Sequence, residues 1–135
     1  MHDGPAYSAE TGGILVRVRP SYLAGQSDPA AGRWVWAYHV EIVNLSGGTV
    51  QLKSRRWTIT DALGRVETVE GPGVVGEQPV IAPGESYAYA SGCPLPTDSG
   101  AMVGAYIMTD AGGREFEAAV PAFSLDTPNP RRTVN

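Results

Sequence analysis

Trp34-Val35-Trp36-Ala37-Tyr38-His39-Val40-Glu41-Ile42-Val43-Asn44 is the stretch whose reading decides the fold. Trp34, Trp36, Tyr38, Val40 and Ile42 recur at every second position. A side-chain period of two places all five on one face of a β-strand and turns His39 and Glu41 to the other. The strand is expected over Arg33 to Asn44. Upstream, Ile14, Val16 and Val18 share one face while Arg17 and Arg19 take the other, so a second strand is expected over Ile14 to Arg19.

Downstream, Thr49 to Thr60 changes phase. Val50 and Leu52 are even-numbered, whereas Trp57 and Ile59 are odd. One face can hold both pairs only if a residue is inserted, which predicts a β-bulge near Ser54, Arg55 and Arg56. A strand buried on both faces is the alternative, and Lys53, Arg55 and Arg56 argue against it. Asp61-Ala62-Leu63-Gly64 reads as a turn into a short strand, Arg65 to Val69. Further strands are expected over Ser86 to Ser91, Met102 to Thr109 and Glu115 to about Val120, the last two joined by Asp110-Ala111-Gly112-Gly113. Phe123 and Leu125 are expected to close the core.

The result is an all-β pattern of about seven antiparallel strands. Two sheets packed face to face is the simplest arrangement that buries one apolar face per strand. A closed barrel is the alternative. Pro20 to Gly32, Glu70 to Glu85 and Gly92 to Gly100 are expected to be loops. The chain divides into a flexible segment over 1–12, the sandwich over 13–126, and a disordered tail over 127–135.

Composition narrows the setting. The 135 residues carry a net charge of −4, so no global field draws the chain to nucleic acid or anionic lipid. A single cysteine, Cys93, rules out an intrachain disulfide framework and fits a reducing compartment. Met1 to Gly13 has no apolar segment of signal-peptide type, and no apolar run nears the roughly 20 residues that span a bilayer. The expectation is a cytoplasmic protein with no membrane or nucleic-acid partner.

Four features bear on chemistry. Gly71-Pro72-Gly73-Val74-Val75-Gly76 matches G-x-G-x-x-G, whose amides approach a pyrophosphate in dinucleotide-binding folds. That motif needs a helix to follow, and Glu77 to Gly84 contains Pro79 and Pro83. Gly71, Gly73 and Gly76 therefore serve either a tight turn or a small amide nest for an anion. Arg55 and Arg56 either hold a phosphate or an acidic partner, or face solvent and pair with Asp61 and Glu67. His39 and Glu41 could both reach one metal ion, but two ligands make no strong site, so no metal site and no cofactor is expected. Cys93 has no neighbouring base, and no catalytic residue is assigned.

Several segments are specific as strings: Val18-Arg19-Pro20-Ser21-Tyr22-Leu23, Gln26-Ser27-Asp28-Pro29, and Val50-Gln51-Leu52 leading to Ser54-Arg55-Arg56-Trp57. Others are Glu70 to Pro79, Ile81 to Glu85, Ser91 to Leu95, and Met102 to Met108. From about Tyr7 to Asp126 the chain resembles the ApaG family. The resemblance implies an immunoglobulin/fibronectin type III-like sandwich. The family carries a label of cobalt and magnesium efflux or resistance, its gene often neighbours that of a diadenosine tetraphosphate hydrolase, and its glycine string has been proposed to bind pyrophosphate. Related domains have a supposed protein-binding role. A chain with no membrane segment cannot itself carry Co²⁺ or Mg²⁺ across a bilayer, so such a link would be indirect. The expected role is a non-catalytic module for an unidentified protein partner, acting through Glu70 to Glu85 and the Arg55–Arg56 strand. The alternative is a sensor of a pyrophosphate-containing nucleotide such as diadenosine tetraphosphate.

Overall fold

The computed structural model describes residues 6–128. Its strands are β1 (Tyr7–Thr11), β2 (Ile14–Tyr22), β3 (Trp34–Asn44), β4 (Val50–Asp61), β5 (Val66–Pro72), β6 (Val80–Ile81), β7 (Ser86–Leu95), β8 (Ser99–Asp110) and β9 (Glu115–Asp126). One antiparallel sheet runs β1-β2-β3-β7, and the other runs β5-β4-β8-β9 with β6 paired beside β4. This is the expected sandwich. Trp36, Tyr38, Val40 and Ile42 are all buried, and Trp34 is half-buried.

The strands number nine among the described residues, not seven. Tyr7–Thr11, expected to be part of a flexible segment, is paired with β2 from Tyr7↔Val18 to Thr11↔Ile14. It is five residues long and only half-buried on one face, so its alternation is too brief to stand out in sequence. The two-residue β6 has no pattern at all. Residues 1–5 and 129–135, on which parts of the flexible-end expectations fall, lie outside the described residues. The expected loop over Gly92 to Gly100 is instead largely strand, because β7 continues through Pro94 to Leu95 and β8 begins at Ser99. A proline is compatible with a strand where its missing N–H faces an edge.

The phase change in β4 is real, one residue from where it was expected. Leu52 faces Met108 and Ser54 faces Ile107, so Lys53 is the inserted residue. Leu52 and Trp57 both end up buried. A second irregularity sets Val103 of β8 against Pro121 and Ala122 of β9, between the pairs Met102↔Phe123 and Gly104↔Val120.

Trp57 sits at the centre of the core, edge-on to Tyr38 at 5.4 Å, Phe123 at 6.0 Å and Tyr106 at 6.5 Å. One flank of the sandwich is closed where β9 meets β1, with the Ala119 N–H donating to Thr11 Oγ1 at 3.2 Å. Trp36 Nε1 donates to the Asp126 carbonyl at 2.9 Å and fixes the end of β9. The other flank lies between β7 and the β5–β6 side of the second sheet.

Two hairpins share one turn. In Asp61-Ala62-Leu63-Gly64-Arg65, Asp61 Oδ1 accepts from the Leu63 and Arg65 N–H groups and Oδ2 accepts from Arg65 Nε. Asp110 repeats this with Gly112 and Arg114. Burial opposes the charge on Asp61, but the amides and Arg65 outweigh it and hold the carboxyl below the usual range. For Asp110 the Arg114 backbone N–H is the largest cause of the same downward shift. A carboxyl lowered on folding stabilises the native state in full above its unfolded value, near 4, and that contribution is lost as pH falls through the folded value. The urea midpoint should therefore drop between pH 5 and pH 2.5. Asp61→Asn with Asp110→Asn should flatten the drop, and an unchanged pH profile in the double variant would refute the assignment.

Candidate functional site

The bulge at Lys53 anchors the glycine-rich loop. With no partner in β8, Lys53 leaves its carbonyl free, and that oxygen accepts from the Gly73 N–H at 2.8 Å and from Gln78 Nε2 at 2.7 Å. Downstream, the Leu52 N–H donates to the Pro79 carbonyl at 3.0 Å. Gly73 to Pro79 is thus an excursion between β5 and β6, tied at both feet to the irregular part of β4.

Within it, Val74 and Glu77 exchange backbone hydrogen bonds at 2.8 and 2.9 Å around Val75 and Gly76. Val75 has φ 41° and Gly76 φ 82°, the signature of a type I′ turn. Among the described residues no helix follows Gly76. The Gly73 amide is committed to Lys53 of β4 and those of Val74 and Glu77 to each other's carbonyls, so none of the three is available to a ligand.

Val75 is the only non-glycine residue with positive φ among the described residues. A β-branched side chain there costs about 1–2 kcal/mol relative to a residue that tolerates the region. Strain of this kind persists where the surroundings impose it and tends to gather at functional sites. Val75→Asn should raise stability by about 1 kcal/mol. A thermal melt reads this as a rise of a few degrees, and a fall would mean that the exposed valine makes contacts worth more than its strain.

Arg55 and the glycine loop come together; Arg56 does not join them. Arg55 has the inward parity of Trp57, and its guanidinium lies across Gly71, where a Cβ would stand 3.2 Å from Nη1 and Nη2. Nη1 donates to the carbonyls of Pro72 at 3.1 Å and Gly73 at 3.0 Å. Among the described residues no carboxylate lies within ion-pair distance of it. Arg56 points the other way and grips Glu117 through both terminal nitrogens at 3.1 and 3.0 Å. Neither arginine pairs with Asp61 or Glu67, since Asp61 is taken by Arg65 at 3.1 Å.

Tyr38, Arg55, Val74, Val75, Gly76, Tyr89 and Ser91 line a cavity of 180 Å³ at the flank between the sheets. The Tyr89 hydroxyl meets that of Tyr106 at 2.5 Å. Burial pushes all three phenols above their ordinary value, so they stay protonated, and Arg55 is a positive charge near each. One cation among neutral phenols and Ser91, with no carboxylate in the lining, forms a site complementary to an anion. The tyrosines and Ser91 were not legible as site residues, because β3, β7 and β8 bring them together from distant parts of the chain.

His39 is exposed on the outer face of β3, and Glu41 accepts from Arg17 Nη1 at 2.9 Å. Among the described residues no three His, Cys, Asp or Glu side chains gather as a metal cluster. Cys93 is buried. Burial, assisted by the charge of Glu67, pushes its thiol up to about 11, so it stays a thiol at neutral pH.

The cavity borders a free sheet edge. The Leu23 N–H donates to the Val35 carbonyl and the Asn44 N–H to the Glu85 carbonyl, each at 2.9 Å, so odd residues of β3 address β2 and even ones address β7. With Val40 opposite Tyr89, the odd residues of β7 bond to β3. Ser86, Ala88, Ala90 and Gly92 then direct their N–H and C=O groups away from the sheet. Pro94 shares this parity and needs no donor.

The ApaG domain family model matches residues 24–110. Protein ApaG of Brucella canis is 60% identical over 129 residues, covering 96% of this chain and 99% of the relative. Protein ApaG of Rhodospirillum centenum is 59% identical over the same span. Among solved structures, the putative ApaA protein from Bordetella pertussis superposes with a TM-score of 0.84 at 46% identity, covering 86% of this chain and 94% of that one. The C-terminal domain of wzt superposes at TM-score 0.53 with 10% identity over 92% of this chain and 78% of that one, a likeness of fold alone. No helix among the described residues is long and apolar enough to cross a membrane. With the family's domain matched over most of the strands and near-full-length relatives at this level of identity, the chain belongs to the ApaG domain family.

Proposed function

We propose that this chain is a non-catalytic recognition module that takes an extended segment of a protein partner as an added strand along β7. The observation that carries this reading is the edge itself. β7 is ten residues long, ends its sheet and contains no charged residue. Apart from the two-residue β6, the other outer strands carry the charges that discourage pairing: Glu10 in β1, Glu67 and Glu70 in β5, and Glu115, Glu117 and Asp126 in β9. Sheet edges without such protection are the usual site of strand addition. Of the stretch Glu70 to Glu85, expected as one loop, only Gly73 to Pro79 and the turn after β6 lie outside strands, and Gly73 to Pro79 flanks the same edge together with Arg55. A partner bound here, in the cytoplasm, would also supply any indirect link to cobalt or magnesium tolerance.

The test is selection of a random nonapeptide display library on the full chain, followed by amide-resolved titration of the enriched peptides. Shifts should centre on Ala88, Ala90 and Gly92. Ala90→Pro removes an N–H that β3 does not use, so melting should change little while affinity falls at least about tenfold. Equal binding by Ala90→Pro would defeat the reading.

A second reading, favoured by the Arg55–tyrosine cavity, is a sensor of a phosphate-bearing nucleotide such as a diadenosine polyphosphate. At 180 Å³ the cavity is below the roughly 300–1,000 Å³ of sites that enclose a whole ligand. It would hold one phosphate group and leave the nucleosides outside. Titration with ATP and diadenosine tetraphosphate should shift the Val75 and Gly76 amides, and no shift at millimolar ligand would end this reading.

A further inference from the structure

The edge and the cavity are parts of one surface. Tyr89 and Ser91, whose backbones bond β7 to β3, send their side chains inward to line the cavity, while Ala90 between them and Ala88 and Gly92 on either side face outward and keep the edge uncluttered. A strand laid beside β7 must alternate as well, so every second side chain of it enters the gap between the sheets. Beside Tyr89 and Ser91 the charge it meets is Arg55, whereas two residues earlier on β7 the Tyr87 hydroxyl donates to the Glu77 carboxylate at 3.1 Å.

We propose that the segment added to β7 carries an anionic side chain, inserted beside Tyr89 and Ser91 to meet the Arg55 guanidinium. This rests on the strand-addition reading and assigns the chemistry of its partner. Arg55 is suited to the role by how it is held. Only Nη1 is occupied, by the carbonyls of Pro72 and Gly73, so Nη2 and Nε remain to grip an oxyanion. Those two carbonyls also fix the plane of the guanidinium against Gly71, so little side-chain freedom is lost on binding. Tyr38, Ser91, Val75 and Gly76 line the same space. A carboxylate and a phosphorylated hydroxyl share this chemistry. Arg17 and Arg56, by contrast, are already paired with Glu41 and Glu117 at 2.9 and 3.0 Å.

The experiment uses nonapeptides enriched on the full chain. The expected result is an Asp or Glu recurring at one position, with shifts at Ser91, Val75 and Gly76 as well as along β7. Changing that acid to its amide should weaken binding about ten- to hundredfold in the wild type and hardly at all in Arg55→Gln. A third peptide with phosphoserine at that position distinguishes the two anion sources, and tighter binding by it assigns the phosphate.

Enriched peptides without a recurrent acid would overturn the proposal and leave strand addition standing. So would an acid-to-amide loss of equal size in Arg55→Gln. No enriched peptide, or β7 pairing with a second copy as judged by a dimer that Ala90→Pro dissolves, would overturn both. Inorganic phosphate shifting Val75 and Gly76 while no peptide binds would transfer the cavity to the small-molecule reading. The peptide-side change needs no variant protein, so the test survives a failure of Arg55→Gln to fold.

Discussion

Gly104→Ala should be severely destabilised. Gly104 is inside β8, opposite Trp57 on one side and Val120 on the other. A Cβ there would stand 2.2 Å from the Arg56 carbonyl oxygen and 2.9 Å from Cε3 of Trp57. The first of these contacts is with backbone and cannot be relieved by a rotamer change. Relief requires β4 and β8 to part, at the place where Trp57 fills the centre of the aromatic core. Overpacking commonly costs 1–3 kcal/mol, and a clash with a strand carbonyl should exceed that, at about 4 kcal/mol. Against a total stability of roughly 5–15 kcal/mol, the variant should keep only a small margin and melt at least about 10 °C below the wild type. A melt within a few degrees of the wild type would mean that the two strands are not held at this spacing.

Gly73→Ala should cost about 3 kcal/mol, and the cost should fall on the loop. Two effects add. Gly73 has φ 62°, and its Cβ would stand 2.2 Å from the Glu77 carbonyl oxygen, which is the acceptor for the Val74 N–H. The type I′ turn cannot close around that contact. Its failure also pulls the Gly73 N–H off Lys53 and releases Val74, which is fully buried in the core. Gly76→Ala is the control: it has φ 82° but no atom within 4 Å of the added carbon, so it should cost only about 1 kcal/mol. Urea denaturation of the pair separates the two roles. Equal losses would show that the Gly73–Glu77 contact is not a constraint.

This comparison shows why the glycine string misleads as a pattern. Gly71, Gly73 and Gly76 are spaced as in a dinucleotide-binding loop, yet each is required for a separate local reason. Gly71 leaves room for the Arg55 guanidinium, Gly73 allows the close approach of Glu77, and Gly76 supplies a positive φ. The missing helix was legible, because Pro79 and Pro83 forbid it. The bulge was legible too, from the switch between even and odd burial on either side of Lys53, though only to within a residue. Its use as an anchor for the loop was not, since the acceptor and donors are about twenty residues apart in the chain.

The alternation of Trp34 to Ile42 carries its own consequence: a period of two needs no distant partner to put five side chains on one face, so the strands and their inward residues follow from local order alone. Which strand ends a sheet is a property of the whole assembly. Ser86-Tyr87-Ala88-Tyr89 reads identically at an edge or in the middle of a sheet, and only the order β1-β2-β3-β7 leaves its backbone groups unmatched. The same holds for Arg55, which in sequence is one of two adjacent cations. Packing of the sheets separates them, turning Arg56 to Glu117 and Arg55 toward the phenols of Tyr38, Tyr89 and Tyr106, because parity in a bulged strand decides the face and the opposing sheet decides what stands there.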